Sequence, residues 1–156
     1  MTDTRLRVMA ATSLPAWLET TMAEYVASRI RSGETEAQAE VAMRKSVDTW
    51  FPGGTPAPGH HVWDVVDGDD TVVGSLWIGP FEPAGRDWWV FDIEIAEAHR
   101  RRGHARRALE QAHVVAKDAG AASIGLNVFG YNTGAAELYE QLGYGVTSVQ
   151  MKLPLD

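Results

Sequence analysis

The spacing of apolar residues divides the chain into ten elements. Leu6 to Met9 is short and alternates apolar with polar positions, which predicts a first strand. Leu14, Leu18, Met22, Tyr25, Val26 and Ile30 then recur at helical spacing, with Ser13 as a candidate N-cap, Pro15 in the first turn and Gly33 as the stop. Thr35 and Gln38 form a capping-box pattern for a second helix reaching about Trp50. The Pro- and Gly-rich run from Pro52 to Gly59 must be a loop. His61–Val66 and Thr71–Ile78 read as strands joined by a hairpin turn at Asp67–Asp70. After a second loop, Trp88–Ile95 is a strand and Ala105–Ala119 a helix with Gly120 as its stop. Ser123–Phe129 is a strand, Asn132 opens a short helix ending at Gly143, and Val146–Leu153 closes the chain as a strand. This order of strands and helices predicts a mixed α/β architecture, with residues 1–156 forming one domain.

Composition narrows the function classes. The chain has 156 residues, 45% of them hydrophobic and 22% charged, which is the balance of a globular domain large enough to bury a core. It contains no cysteine, so disulfides, a thiol nucleophile and cysteine-ligated metal are excluded. A net charge of −7 argues against general nucleic-acid binding, which needs a basic face. No apolar run approaches the roughly 20 residues of a membrane span, and the polar start shows no signal peptide. The expectation is a cytoplasmic protein.

Against that acidic background, Arg100-Arg101-Arg102-Gly103-His104-Ala105 stands out. It lies between an apolar strand and a helix. The first turn of a helix leaves N–H groups unpaired and its dipole favours negative charge, so this loop can take an anion such as a phosphate. A solvated basic turn capping a surface helix is the plainer alternative. In the preceding strand, alternation puts Trp88, Val90, Asp92 and Glu94 on one face. Trp77, Trp88 and Trp89 could form a substrate-facing aromatic wall, although core packing accounts for most such residues. His60 and His61 lack partners at metal-like spacing, so no metal site is expected.

The Arg100–Ala105 loop fits the Gln/Arg-x-x-Gly-x-Gly/Ala fingerprint of the GNAT (Gcn5-related) N-acetyltransferase superfamily. About 30 residues later, Asn132-Thr133-Gly134-Ala135-Ala136-Glu137-Leu138-Tyr139 and Gly143-Tyr144 resemble that family's Asn-x-x-Ala-x-x-Leu-Tyr and Gly-Phe/Tyr. The resemblance is strong from Trp88 to Tyr144 and rests on element order alone from Leu6 to Ile78. It implies a central, mostly antiparallel sheet with splayed middle strands, flanked by about four helices. It also implies an enzyme moving an acetyl group from acetyl-CoA directly to a primary amine.

The resemblance assigns roles as well. Amides from Arg101 to Ala105 (Arg101, Arg102, Gly103, His104, Ala105), with Arg100 opening the loop, would hold the pyrophosphate of acetyl-CoA. Main-chain groups of Ile93 to Ile95 would pair with the pantetheine arm, and an amide near Ile95 would polarise the thioester carbonyl. Asn132 would approach the pantetheine or serve as a helix N-cap. His104 would lend its backbone, and a charged imidazole beside phosphate is a further option. Tyr139 would be the general acid, because a phenol with a pKa of about 10 is protonated at neutral pH. Asp92 and Glu94 are the candidate bases, and a bulge of the kind usual in this strand would change which one faces the cleft. Some relatives carry a glutamate where this chain has Asn127, so that route is closed here. A non-catalytic acyl-CoA-binding module of the same fold is the competing reading, and a nucleic-acid domain built on Arg100–Arg107 is a third. A homodimer is compatible with the sequence.

Overall fold

The computed structural model describes residues 3–155. Strands β1 (Thr4–Val8), β2 (His61–Asp67), β3 (Val72–Pro80), β4 (Asp87–Ile95) and β5 (Ser123–Leu126) form one sheet in the order β1-β2-β3-β4-β5. The first four strands are antiparallel and β5 runs parallel to β4. Helices α1 (Leu14–Arg31), α2 (Glu36–Trp50), α3 (His104–Asp118) and α4 (Thr133–Gln141) flank the sheet. The expected α/β, mostly antiparallel architecture with four helices is therefore the one observed.

Each face of the sheet has its own core. On one face α3 buries Ala108, Leu109, Ala112 and Ala116, a helical stripe, against Leu76, Ile78, Trp88, Val90 and Ile95. Leu138, Tyr139 and Leu142 from the α4 segment pack on the same cluster. On the other face Met22 and Trp17 of α1, Met43 and Val47 of α2, and Phe51 cover Val62 and Trp77. Trp17 and Phe51 lie with their ring centroids 5.9 and 4.9 Å from that of Trp77.

Local signals work at some ends and not at others. Thr35 and Gln38 do form the reciprocal capping box, with bonds of 2.9 and 3.1 Å. Ser13 does not cap α1: it has helical backbone angles, and its side chain makes no cap bond. At the β2–β3 turn, Asp67 Oδ1 accepts the amides of Asp69 and Thr71 at 2.9 and 3.0 Å. Among the described residues no helix is long and apolar enough to cross a membrane.

Two expected strands change. β5 stops at Leu126 instead of Phe129. Val146–Leu153 forms no strand. Val149, Met151 and Leu153 alternate as a strand would, but alternation becomes a strand only where a partner supplies a ladder. These side chains are instead 69%, 90% and 79% exposed, and the segment is tied back by Lys152 Nζ donating to Gly33 O at 2.9 Å.

Candidate active site

The site begins with a mismatch between β4 and its neighbours. Trp77 pairs with Asp92 and Ile78 with Val90, so Phe91 is an extra residue and β4 bulges there. The bulge resets the alternation. Trp88 and Val90 belong to the α3-side core, as do Ile93 and Ile95 beyond it. Phe91 joins the opposite core, and Asp92 and Glu94 pair with Trp77 and Ser75 on that opposite face. The expectation of Trp88, Val90, Asp92 and Glu94 on one face is thus corrected: the two carboxylates face α1, not α3.

The same stretch opens the sheet. β5 pairs with β4 from Asp87 to Val90 only, leaving Phe91–Ile95 without a partner on that side. The amide of Ala96 donates to Val73 O at 2.8 Å, which directs the main-chain groups of Glu94 and Asp92 toward β3. Those of Ile93 and Ile95 therefore point into the opening. Gly74 permits the close approach of β3 and β4, because a Cβ there would lie 2.1 Å from Glu94 O.

Below the opening, Arg100–Ala105 leads into α3. Arg101 and Gly103 adopt left-handed backbone (φ 64° and 85°). The first amide to join the α3 ladder is that of Arg107, which donates to Gly103 O at 3.1 Å. The amides of Arg101 to Arg106 stand outside that ladder, and free amides at a helix start are donors of the kind that bind phosphate. Arg107 Nη1 braces the loop by donating to Arg102 O at 3.1 Å. The side chain of His104 is buried, with Nδ1 2.8 Å from Thr4 Oγ1. Burial holds its pKa below the usual histidine value, and the ring is turned inward onto Thr4, which favours a neutral imidazole. Arg100 turns back onto β4, donating from Nε to Ile95 O at 2.8 Å and from Nη2 to Glu94 Oε1 at 2.6 Å.

Acid–base groups converge on the opening from both faces. Tyr139 reaches it from α4. Burial, and then the charges of Asp92 and Glu94, raise its pKa, so its phenol is protonated at neutral pH. Tyr144 lies beside it, with ring centroids 5.8 Å apart, and bonds His113 Nε2 at 2.6 Å. Asp92 comes from the other face. Burial, reinforced by Glu94 and Glu24, pushes its pKa up to about 7, and its Oδ2 is buried with no hydrogen-bond partner. A cleft of about 640 Å3 runs along β5, lined by Trp89, Gly125, Asn127, Tyr139 and Tyr144. Asn132 caps α4, accepting the Ala135 amide at 3.3 Å. Of the three tryptophans, Trp77 is core, Trp88 is buried in the α3-side core and also borders the cleft, and Trp89 lines the cleft.

A splayed β4–β5 pair, a donor-rich loop at the start of α3 and a tyrosine opposite a buried carboxylate all occur in one chain. The profile of the acetyltransferase (GNAT) family matches residues 16–144. The chain belongs to the GNAT acetyltransferase family. It is similar to the uncharacterized N-acetyltransferase YycN of Bacillus subtilis, with 29% identity over 153 residues, covering 96% of this chain and 97% of that protein. The uncharacterized N-acetyltransferase YdgE of the same organism is 28% identical over 134 residues, 84% of this chain and 85% of its own. The crystal structure of YycN superimposes with a TM-score of 0.86 at 27% identity, over 97% of this chain and 98% of that one. A tetramutant of the BH1408 protein from Bacillus halodurans shares the fold, with a TM-score of 0.66 at 17% identity over 97% and 99% of the two chains. The protein is thus an N-acetyltransferase of the GNAT family.

Two features of the GNAT site were not read from sequence. Glu24 couples electrostatically to Glu94 and Arg100, a proximity that only the placement of α1 reveals. His60 sits in an aromatic group, with ring centroids 4.9 Å from Trp50 and 5.1 Å from Phe91, and accepts Trp77 Nε1 at 2.9 Å. Its position after a Pro/Gly loop gave no sign of that.

Proposed function

We propose that this GNAT enzyme moves an acetyl group from acetyl-CoA directly to a primary amine, with both substrates bound together. The observation that carries the reading is the convergence of Tyr139 and Asp92, from opposite faces, on the unpaired stretch of β4. The loop amides of Arg101–Ala105 would take the pyrophosphate, and the outward main-chain groups of Ile93 and Ile95 the pantetheine. Because Ile95 O already accepts Arg100, the Ile95 amide is the group left to polarise the thioester carbonyl.

The neutral amine attacks the thioester carbon. As the C–N bond forms, the nitrogen loses its extra proton to Asp92, whose pKa of about 7 suits a base at neutral pH. Collapse breaks the C–S bond, and Tyr139 gives the departing sulfur a proton. The products are an amide and free CoA, and proton exchange with solvent resets both side chains. No covalent enzyme intermediate is needed, and the chain has no cysteine to form a thioester with. A cytoplasmic setting is the one that suits this donor.

The test is calorimetry of acetyl-CoA binding followed by CoA release with an amine panel. Native protein should bind acetyl-CoA, and Gly103→Glu, which sets a negative charge in the donor surface, should abolish binding. Tyr139→Phe should bind acetyl-CoA normally and lose about 100-fold or more in kcat, the usual scale for one general acid. Native protein that is folded yet fails to bind acetyl-CoA would overturn the proposal. Binding without release with any amine would favour the non-catalytic acyl-CoA-binding alternative.

A further inference from the structure

We infer that Glu24 of α1 selects an acceptor carrying two cationic amino groups, holding the distal one while Asp92 and Glu94 receive the amine that is acetylated. This rests on the reading of the chain as an amine acetyltransferase.

The argument starts from how α1 crosses the sheet. At its first turn Trp17 Nε1 donates to Ser75 Oγ at 3.0 Å, and Ser75 is the β3 residue paired with Glu94. At its last turn the Arg31 guanidinium lies 3.9 Å from the ring centroid of Tyr131, in the segment that follows β5. The helix therefore runs from above β3 to beyond β5 and roofs the opening between β4 and β5. Glu24 stands seven residues after Trp17 and seven before Arg31. Seven residues are nearly two full turns, so all three side chains share one stripe, with Glu24 about 10 Å along the axis from each anchor. That stripe meets β3 at its first turn and the segment after β5 at its last, so its middle, at Glu24, lies beside the opening between them.

The charges agree with this placement. Burial and then Glu94 raise the proton affinity of Glu24, while Arg100 lowers it; Asp92 in turn feels both Glu94 and Glu24. Three carboxylates thus lie within electrostatic range of one another beside the opening. The cation coupled to them is Arg100, whose guanidinium is already committed to Glu94 and to Ile95 O. Asp92 Oδ2, buried and without a partner, marks where a hydrogen-bond donor is missing, and an ammonium offers three N–H donors. A single amine answers Asp92 and leaves Glu24, exposed at the mouth, with Arg100 as its neighbouring cation and that guanidinium already bound to Glu94. A second amino group on the same molecule answers Glu24 as well. It keeps its proton throughout, so the transfer chemistry is unchanged.

The experiment compares CoA release with 1,4-diaminobutane and with butylamine, in native protein and in Glu24→Gln. Glu24 is exposed on a helix, so the amide is tolerated, and calorimetry with acetyl-CoA verifies that the donor site is intact. Native protein should favour the diamine in kcat/KM, and Glu24→Gln should raise KM for the diamine about fivefold, the scale of one partly exposed ion pair. The same variant should change the butylamine KM far less, and any shift in kcat, which follows the Glu24 charge acting on Asp92, should be the same for both amines. Equal KM effects on both amines, no KM effect on either, or no native preference for the diamine would overturn the inference. Turnover of neither amine by protein that binds acetyl-CoA would overturn it while leaving the donor site standing. Loss of acetyl-CoA binding in native protein would remove the underlying reading itself.

Discussion

Arg100 Nη2 donates to Glu94 Oε1 at 2.6 Å, tying the first residue of the Arg100–Ala105 loop to the end of the strand that borders the opening. With the bond from Arg100 Nε to Ile95 O, the contact fixes the path of the chain between β4 and α3. It also spends the guanidinium on the protein. On the proposed reading, phosphate recognition then falls to the loop amides, and the part of this fingerprint that matters for the ligand is backbone shape more than arginine charge.

The first prediction follows from that division. Arg100→Ala should weaken acetyl-CoA binding only modestly in calorimetry, whereas Gly103→Glu should abolish it. The two partners of the ion pair are 52% and 45% exposed, so its loss should lower unfolding free energy by no more than about 1 kcal/mol. A loss of acetyl-CoA affinity with Arg100→Ala as deep as that with Gly103→Glu would place the guanidinium on the phosphate and refute the division.

Asp92 gives a prediction with a definite sign. Its pKa stands near 7 in the folded protein against the ordinary 3.8, so the folded state holds a proton that the unfolded chain has released. Stability from this group is intact below about pH 4 and falls as pH rises to about 7, beyond which the penalty is complete. Asp92→Asn removes the penalty. Urea unfolding should show the variant more stable than native at pH 8, by up to a few kcal/mol, and no more stable at pH 4. Its CoA release should be strongly reduced, while native kcat/KM should rise through about pH 7. A variant less stable than native at pH 8 would mean that the carboxylate has a partner in the fold.

How much of this was legible beforehand follows the range of each cause. The loop and α3 were legible because strand, glycine and amphipathic stripe are neighbours in sequence. The capping box at Thr35 was legible for the same reason, and Ser13 shows its limit: the residue type was right, but helical backbone angles at Ser13 leave its hydroxyl off the cap. The bulge at Phe91 was not readable from the strand itself, because Trp88–Phe91 is an unbroken apolar run that hides the register and only pairing with Trp77 and Ile78 exposes the extra residue. That single residue decided which face Asp92 and Glu94 occupy. The C-terminal segment failed in the opposite way, with a strand pattern but no ladder to join. Glu24 was invisible because nothing local aims a helix across a sheet.

His60 supplies the last prediction, with the opposite pH dependence. Burial against Trp50 and Phe91 lowers its pKa from 6.5 to about 4, so it is neutral at pH 7 and accepts Trp77 Nε1 through Nδ1. Its Nε2 then carries the proton and donates to Pro80 O at 3.2 Å. The unfolded chain takes up a proton below about pH 6.5 that the folded protein refuses until about pH 4. Stability from this group is therefore whole above pH 6.5 and is lost as pH falls to about 4. His60→Phe keeps an aromatic ring in the cluster but leaves the buried Trp77 N–H without its acceptor, a cost of about 1–3 kcal/mol. At pH 7.5 the variant should be destabilised by that amount. At pH 4.5 the difference should shrink or reverse, because phenylalanine has no proton to refuse. Urea unfolding at the two pH values reads both effects, and an unchanged gap would show that His60 does not titrate between the folded and unfolded states in this range.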